Sequence, residues 1–319
     1  MSVDRPSADP APNAHDLAAM QDLARTLMRT QPHLVNRTVG ELAWAWAKDV
    51  DLLRDAWRFR GWRIDGRLVG WGWVSLPYQV RFDDGSPLAS DTADLLFQID
   101  PAYPEVLDDV LAWCDRVAPP CDRTVCVQSG DEDAAIRVRR AGYLPDPDAA
   151  GPDGRWTELG IRPLDAVPTP VLPAGFRIVS ADRLPPSAAV AAHRSAWHPA
   201  RFTEQALAQV RATPPYRGDL HLLLVAPDDT PVTSTIIWFD AATLTAEFEP
   251  VGTHRSYRRQ GLARALQLAG MHRAKAAGAN HMLVAYRGAD ADEAARRLYH
   301  SVGFRPVGRD VPFIKRGPR

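Results

Sequence analysis

The sequence predicts an α/β (α+β) protein built from two similar domains in tandem. Three observations lead there. The chain has 319 residues, 45% hydrophobic and 24% charged, more than a single compact core usually holds. A proline-rich stretch, Pro163-Leu-Asp-Ala-Val-Pro-Thr-Pro-Val-Leu-Pro173, lacks any helical or strand hydrophobic period and favours the extended backbone of a linker. The order of helix-like and strand-like segments before that stretch recurs after it. The expected organisation is a disordered N-terminus over 1–15, a first domain over 16–162, a linker over 163–173 and a second domain over 174–319.

In the second half, Phe176–Ser180 reads as a strand. Ser187–Trp197 and Thr203–Ala212 read as helices, the second with Thr203 at its cap position. The β-rich runs Leu220–Ala226 and Val232–Asp240 flank Pro227-Asp-Asp-Thr-Pro231, a hairpin. A strand over Leu244–Thr253 leads into a loop at 254–260. A helix over Gly261–Ala277, a strand over His281–Tyr286 and a helix over Asp290–Ser301 follow, then a last pair of strands within Phe304–Ile314.

The first half repeats this plan. Helical stretches at Leu17–Thr30 and Val39–Arg58 precede a hairpin, Trp62–Val74, whose turn Asp65-Gly66 is a strong two-residue signal. A strand (Asp94–Ile99), helix (Glu105–Val117), strand (Thr124–Gln128) and helix (Glu132–Arg140) follow. That helix ends in Arg140-Ala-Gly-Tyr143, parallel to Ser301-Val-Gly-Phe304. Among the tryptophans Trp44, Trp46, Trp57, Trp62, Trp71 and Trp73, the pair Trp71 and Trp73 shares one strand face, which predicts core.

Composition narrows the function. Basic and acidic residues number 38 and 39, a net charge of -1, so no basic surface for nucleic acid or an anionic membrane is indicated. A small molecule is the expected partner. Cys114, Cys121 and Cys126 match no zinc spacing, and no metal is expected. No signal-peptide pattern or membrane-length apolar run is present, which predicts a cytoplasmic protein. His193, His198 and His221 suggest no role by position.

The segment Val251-Gly-Thr-His-Arg-Ser-Tyr-Arg-Arg-Gln-Gly-Leu-Ala-Arg-Ala-Leu266 reads as strand, tight loop and helix start. Unpaired N–H groups at a helix N-terminus attract an anion. Gly261 lets it approach the backbone, and Arg258 and Arg259 add positive charge.

This loop resembles motif A of the GCN5-related N-acetyltransferase superfamily, here Arg258-x-x-Gly261-x-Ala263 preceded by Tyr257. A second marker, Leu298-Tyr-His-Ser-Val-Gly-Phe304, lies one helix, one strand and one helix further on. The resemblance covers about residues 175–316. It implies two tandem domains of that fold, each a mixed, mostly antiparallel sheet flanked by helices.

The resemblance also implies roles. Backbone amides of Arg259, Gln260, Gly261, Leu262, Ala263 and Arg264 would grip the pyrophosphate of acetyl-CoA. The splayed strand at Val251, Gly252 and Thr253 would pair with the pantetheine arm. Tyr299 would protonate the leaving thiolate, its phenol pKa of ~10 being within reach of a thiol's. Histone-type members carry a glutamate base at the offset of Glu247 from Arg258. Glu249 shares its strand parity, and Pro250 suggests a bulge that re-aims one of the two.

In the first half, Ile99-Asp-Pro-Ala-Tyr103 aligns with Thr253-His-Arg-Ser-Tyr257, but no glycine or arginine follows. Glu105 at the helix start would repel a phosphate, and Val138 stands where the second half has Tyr299. The first half is therefore expected to keep the fold without the cofactor site, and to wall its partner's cleft. The expected activity is acetyl transfer from acetyl-CoA to a primary amine of a small molecule by direct attack. A non-catalytic acyl-CoA sensor and an aminoacyl transferase on the same fold remain alternatives, and the oligomeric state is open.

Overall fold

The computed structural model describes residues 9–81, 84–148, 156–287 and 293–318. The chain opens with helices α1 (Ala14–Thr30) and α2 (Val39–Leu53), each started by a reciprocal capping box, Asn13 with Asp16 and Thr38 with Glu41. These boxes satisfy N–H groups that the first helical turn leaves without partners. Of the stretch expected to be disordered, residues 1–8 lie outside the described residues. Residues 9–13 are tied down: Phe59 N–H donates to the Pro10 carbonyl (2.8 Å) and the Trp46 indole to that of Pro12 (3.1 Å).

Strands β1 (Trp57–Ile64) and β2 (Arg67–Ser75) form the expected hairpin. Asp65 (φ 49°) and Gly66 (φ 78°) are both left-handed, as a two-residue turn matched to strand twist requires. The helix expected to reach Arg58 stops at Leu53, because Trp57 already belongs to β1 and packs edge-on against Trp73, 4.8 Å between ring centres. A small hairpin, β3 (Tyr78–Arg81) with β4 (Pro87–Ser90), was not evident from the sequence. The half continues through β5 (Ala93–Ile99), α3 (Val106–Val117), β6 (Arg123–Gln128), α4 (Glu132–Arg140), the short β7 (Leu144–Pro145) and β8 (Thr157–Pro163).

The second half runs β9 (Arg177–Ser180), α5 (Pro186–Ala196), α6 (Glu204–Ala212), β10 (His221–Val225), β11 (Pro231–Asp240), β12 (Thr245–Thr253), α7 (Leu262–Ala276), β13 (His281–Arg287), α8 (Glu293–Ser301) and β14 (Arg305–Lys315). Thr203 does cap α6, accepting from Ala206 N–H at 3.1 Å. Residues 290–292, expected to begin α8, lie outside the described residues.

The last pair of strands expected within 304–314 is instead one long strand, β14. It has no need to turn back, since it serves two partners. Arg305–Arg309 pairs with β8, and Asp310–Lys315 pairs with β6. Strand β8 in turn pairs along its length with β13. The resulting sheet runs β1-β2-β5-β6-β14-β8-β13-β12-β11-β10-β9. Each half thus lends its final strand to the other half's sheet, and the two lent strands pair at the centre. The expected boundary at 162/163 falls at the end of a strand that lies in the second half's sheet.

Among the described residues β5–β6 and β12–β13 are the parallel pairs, and the other pairs are antiparallel. The β12–β13 ladder covers Thr245–Phe248 and stops there, so the two strands diverge from Glu249 and Ala285 onward. Four apolar clusters fill the faces. One joins the halves: Ala43, Trp44 and Ala47 of α2 are buried with Val190, Leu207 and Val210 of α5 and α6 and Trp238 of β11. Trp71 and Trp73 are core, as expected. No described helix is long and apolar enough to cross a membrane.

Candidate active site

The loop after β12 ends in Gly261, which is left-handed (φ 78°) and stands at the N-cap of α7 with no side chain closing the helix. A Cβ built on Gly261 would meet nothing within 4 Å. The first N–H groups of α7 therefore face an open approach, with the positive end of a fifteen-residue helix behind them. Arg259 is also left-handed (φ 63°), and Arg259, Gln260, Gly261 and Arg264 are exposed while Leu262 anchors the helix in the core. Ala263 is partly exposed. Arg258 donates through Nε to the Thr253 carbonyl (3.2 Å) and through Nη2 to that of Ala196 (3.1 Å). It thereby ties the loop to the end of α5.

Pro250 does mark a bulge. In the β11–β12 ladder Thr235 faces Val251 and Ile237 faces Phe248, so Glu249 and Pro250 together oppose Ile236. The Glu249 carbonyl accepts from the Trp238 indole at 2.6 Å instead. The bulge separates the fates of the two glutamates. Glu247, 3% exposed, turns to the N-terminus of α2, accepting from the Thr38 hydroxyl (2.5 Å) and Gly40 N–H (3.1 Å). Glu249 is partly buried and lines a cavity.

That cavity, about 390 Å³, lies where β12 and β13 diverge and falls in the size range of small-molecule sites. The second half contributes Glu249, Pro250, Val251, Ala285 and Tyr299, with His193, Trp197, Arg201 and Phe202 from α5 and the loop after it. The first half contributes Trp44, Lys48 and Asp49 from α2. Tyr299 is held by its ring, stacked on Tyr286 (5.0 Å) and edge-on to Phe304 (5.9 Å). Gly252 lies beneath Trp197, whose indole would collide with any Cβ there at 2.2 Å. The Thr253 hydroxyl is buried without a hydrogen-bond partner.

Burial and then the nearby Glu41 push the Glu249 carboxyl up to about 8, while Lys48 and Arg37 pull it back. Glu247 is raised well above the usual carboxylate range, first by burial and then by Glu41, against its bonds to Thr38 and Gly40. His193, packed against Trp197 (4.5 Å) and Phe202 (4.4 Å), is driven down to about 3 by burial and by Lys48, and so is neutral. The sequence offered no reason to select His193, Trp44, Lys48, Asp49 or Arg201. They meet only because α2 lies beside β12. His221 is buried beside Tyr216 on β10, at 3.1 Å from its hydroxyl.

In the first half β5 and β6 also diverge, after Leu95 and Val125. There Gln98, the counterpart of Gly252, holds the segment before α2: its Oε1 accepts from Asn36 N–H (2.8 Å) and its amide donates to the Leu34 carbonyl (3.2 Å). The chain itself thus crosses the diverging end of β5. Helix α3 begins at Val106 behind Glu105, and Val138 is buried in the core. Among the described residues no group of three or more His, Cys, Asp and Glu side chains could hold a metal ion.

Residues 187–304 match the Acetyltransferase (GNAT) family. No curated protein sequence matches the chain. Among solved structures it is similar to a tandem GNAT protein from the clavulanic acid biosynthesis pathway, at 17% identity and TM-score 0.63 over 98% of each chain. A GCN5-related N-acetyltransferase from Sphaerobacter thermophilus matches at 16% identity and TM-score 0.59, over 97% of this chain and 95% of that one. A GCN5-related glucosamine N-acetyltransferase region of a fungal multi-domain β-N-acetylglucosaminidase matches at 13% identity and TM-score 0.55, over 98% of this chain and 39% of that one. At such identities the likeness is one of fold, and it runs through both halves. The second half thus carries the match to the Acetyltransferase (GNAT) family, and the two halves together share the fold of tandem GNAT structures.

Proposed function

We propose that the second half moves an acetyl group from acetyl-CoA to a primary amine of a small molecule, by direct attack in a ternary complex. The observation that carries this reading is the single cavity in which Glu249, Tyr299 and the diverging backbone of β12 meet. Acetyl-CoA suits the residues around it. Its pyrophosphate would lie against the N–H groups from Arg259 to Arg264 at the open start of α7, and its pantetheine arm along Val251, Gly252 and Thr253. When bound it supplies the activated thioester.

The protein's part is proton management and positioning. Glu249 takes the proton that the attacking amine must lose. A carboxyl near 8 is matched to that work, being a stronger base than an ordinary glutamate yet available at mildly alkaline pH. As the new C–N bond forms and the C–S bond breaks, the Tyr299 hydroxyl gives its proton to the departing thiolate. Helix α2 closes the cavity from the first half, which limits water around the thioester.

Thiol release from acetyl-CoA against a panel of small amines, run beside calorimetry with acetyl-CoA, tests the reading. Amine-dependent thiol release is expected, with one acetyl-CoA site per chain. Tight binding without thiol release for any amine would instead indicate a sensor.

A further inference from the structure

The charge at the cavity is unbalanced. Asp49 of α2 spends both carboxylate oxygens: Arg201 reaches them through Nε (3.1 Å) and Nη2 (2.9 Å), and Lys48 Nζ closes on Oδ2. One acid thus serves two bases, and Lys48 and Arg201 both line the cavity with side chains 28% and 23% exposed. The other ionisable groups facing it do not offset the excess at neutral pH. Glu249 holds its proton up to about 8 and His193 is neutral. A purely structural ion pair between two halves would be expected to balance, because uncompensated charge away from bulk water is costly. Lys48 retains ammonium protons and Arg201 a guanidinium edge, and such donors bind an oxyanion strongly. The remaining lining, Trp44, Trp197, Phe202 and Val251, is apolar.

We infer that the acceptor is a primary amine that also carries an oxyanion, carboxylate or phosphate, on an apolar skeleton, with Lys48 and Arg201 as the specificity-determining residues. This rests on the transferase reading of the same cavity. The oxyanion docks on the two cations, Asp49 fixes their positions, and the amine is left to Glu249. The two halves meet here in a functional sense: Lys48 and Asp49 come from the first, Arg201 from the second.

The full-length protein is assayed with matched amines that differ in one group: an α-amino acid, the amine lacking its carboxylate, and the corresponding phosphate monoester. The ratio of kcat/KM for the anionic over the neutral amine is read in each protein. A ratio of about tenfold or more is expected in the wild type, as one charge-assisted contact gives. Arg201→Gln should lower the ratio, and Asp49→Asn should raise it by freeing both cations. A merely structural cluster would lower turnover in both variants and leave the ratio in place. Comparison of the carboxylate and phosphate arms identifies the oxyanion. Amines acetylated with no anionic preference, or a preference indifferent to both variants, would overturn the inference while the transferase reading stands. Absence of thiol release with every amine would defeat the transferase reading. The inference is then judged on quenching of tryptophan fluorescence by an N-acetyl amino acid against its methyl amide. Equal quenching defeats it, and Arg201-dependent preference for the acid upholds it.

Discussion

Thr38 donates its hydroxyl to Glu247 across 2.5 Å, joining side chains 209 positions apart in the chain. The same oxygen accepts from Gly40 N–H at 3.1 Å, so a residue of the second half completes the cap of a helix in the first. That helix carries Trp44, Lys48 and Asp49 into the cavity. Glu247 is thereby a positioning residue for the wall that the first half provides.

Replacing Glu247 separates this role from that of a base. Glu247→Ala should cost about 1–3 kcal/mol of stability, the range for leaving buried donors unpaired, and should impair turnover through displacement of α2. Glu247→Gln, which can still accept from Thr38 and Gly40, should retain most of the turnover. The folded pKa of Glu247 is raised. Its contribution to stability is therefore full below the unfolded value of about 4.3 and lost as pH rises through the folded value. Melting curves from pH 5 to 9 should show a flatter alkaline decline for Glu247→Gln than for the wild type. Identical curves would mean that this carboxyl does not titrate in the fold.

Glu249→Gln should lower kcat by roughly 10²–10⁴, the usual worth of a general base. In the wild type the base acts deprotonated, so kcat/KM should climb with pH and level off above about 8, where Glu249 titrates. Lys48→Met removes a charge that pulls this value down and should shift the limb to higher pH. A profile flat through this region would exclude Glu249 as the base.

Tyr299→Phe should reduce turnover by roughly a hundredfold while acetyl-CoA affinity holds, since the ring contacts with Tyr286 and Phe304 survive loss of the hydroxyl. Unchanged kcat would remove the phenol from the reaction.

Gly261→Val should abolish acetyl-CoA binding in calorimetry without unfolding the protein. A Cβ there touches nothing in the fold, so its penalty is limited to about 1–2 kcal/mol of left-handed strain, and lost binding reports what the ligand needs. Retained affinity would relocate the phosphate site.

Much of this was legible in the sequence because the signals are local. Asp65-Gly66 sets a hairpin, Thr203 caps a helix, Pro250 forces a bulge, and Gly261 opens a helix N-terminus. Strand β8 escaped notice because Gly160 and Pro163 blur its alternation beside a proline-rich stretch. The direction of Glu247 and the assembly of Lys48, Asp49 and Arg201 were not legible at all. They depend on α2 docking against β12, and no local pattern encodes a partner two hundred residues away. Arg258, expected at the phosphate, also ties its loop to β12 and α5 through the carbonyls of Thr253 and Ala196, contacts that no local pattern encodes.

The lent strands have a consequence for synthesis. A ribosome that has delivered the first half still withholds Asp310–Lys315, the segment that covers the edge of β6. Until that segment is delivered, the edge stays open, a template for pairing with other nascent chains. Deleting residues 310–319 should therefore send the whole protein into aggregates, although no residue of that segment lines the cavity. Supplying the missing strand in trans as a peptide during refolding should recover soluble material. The segment Asp310–Lys315 is the late stitch of the first half's sheet.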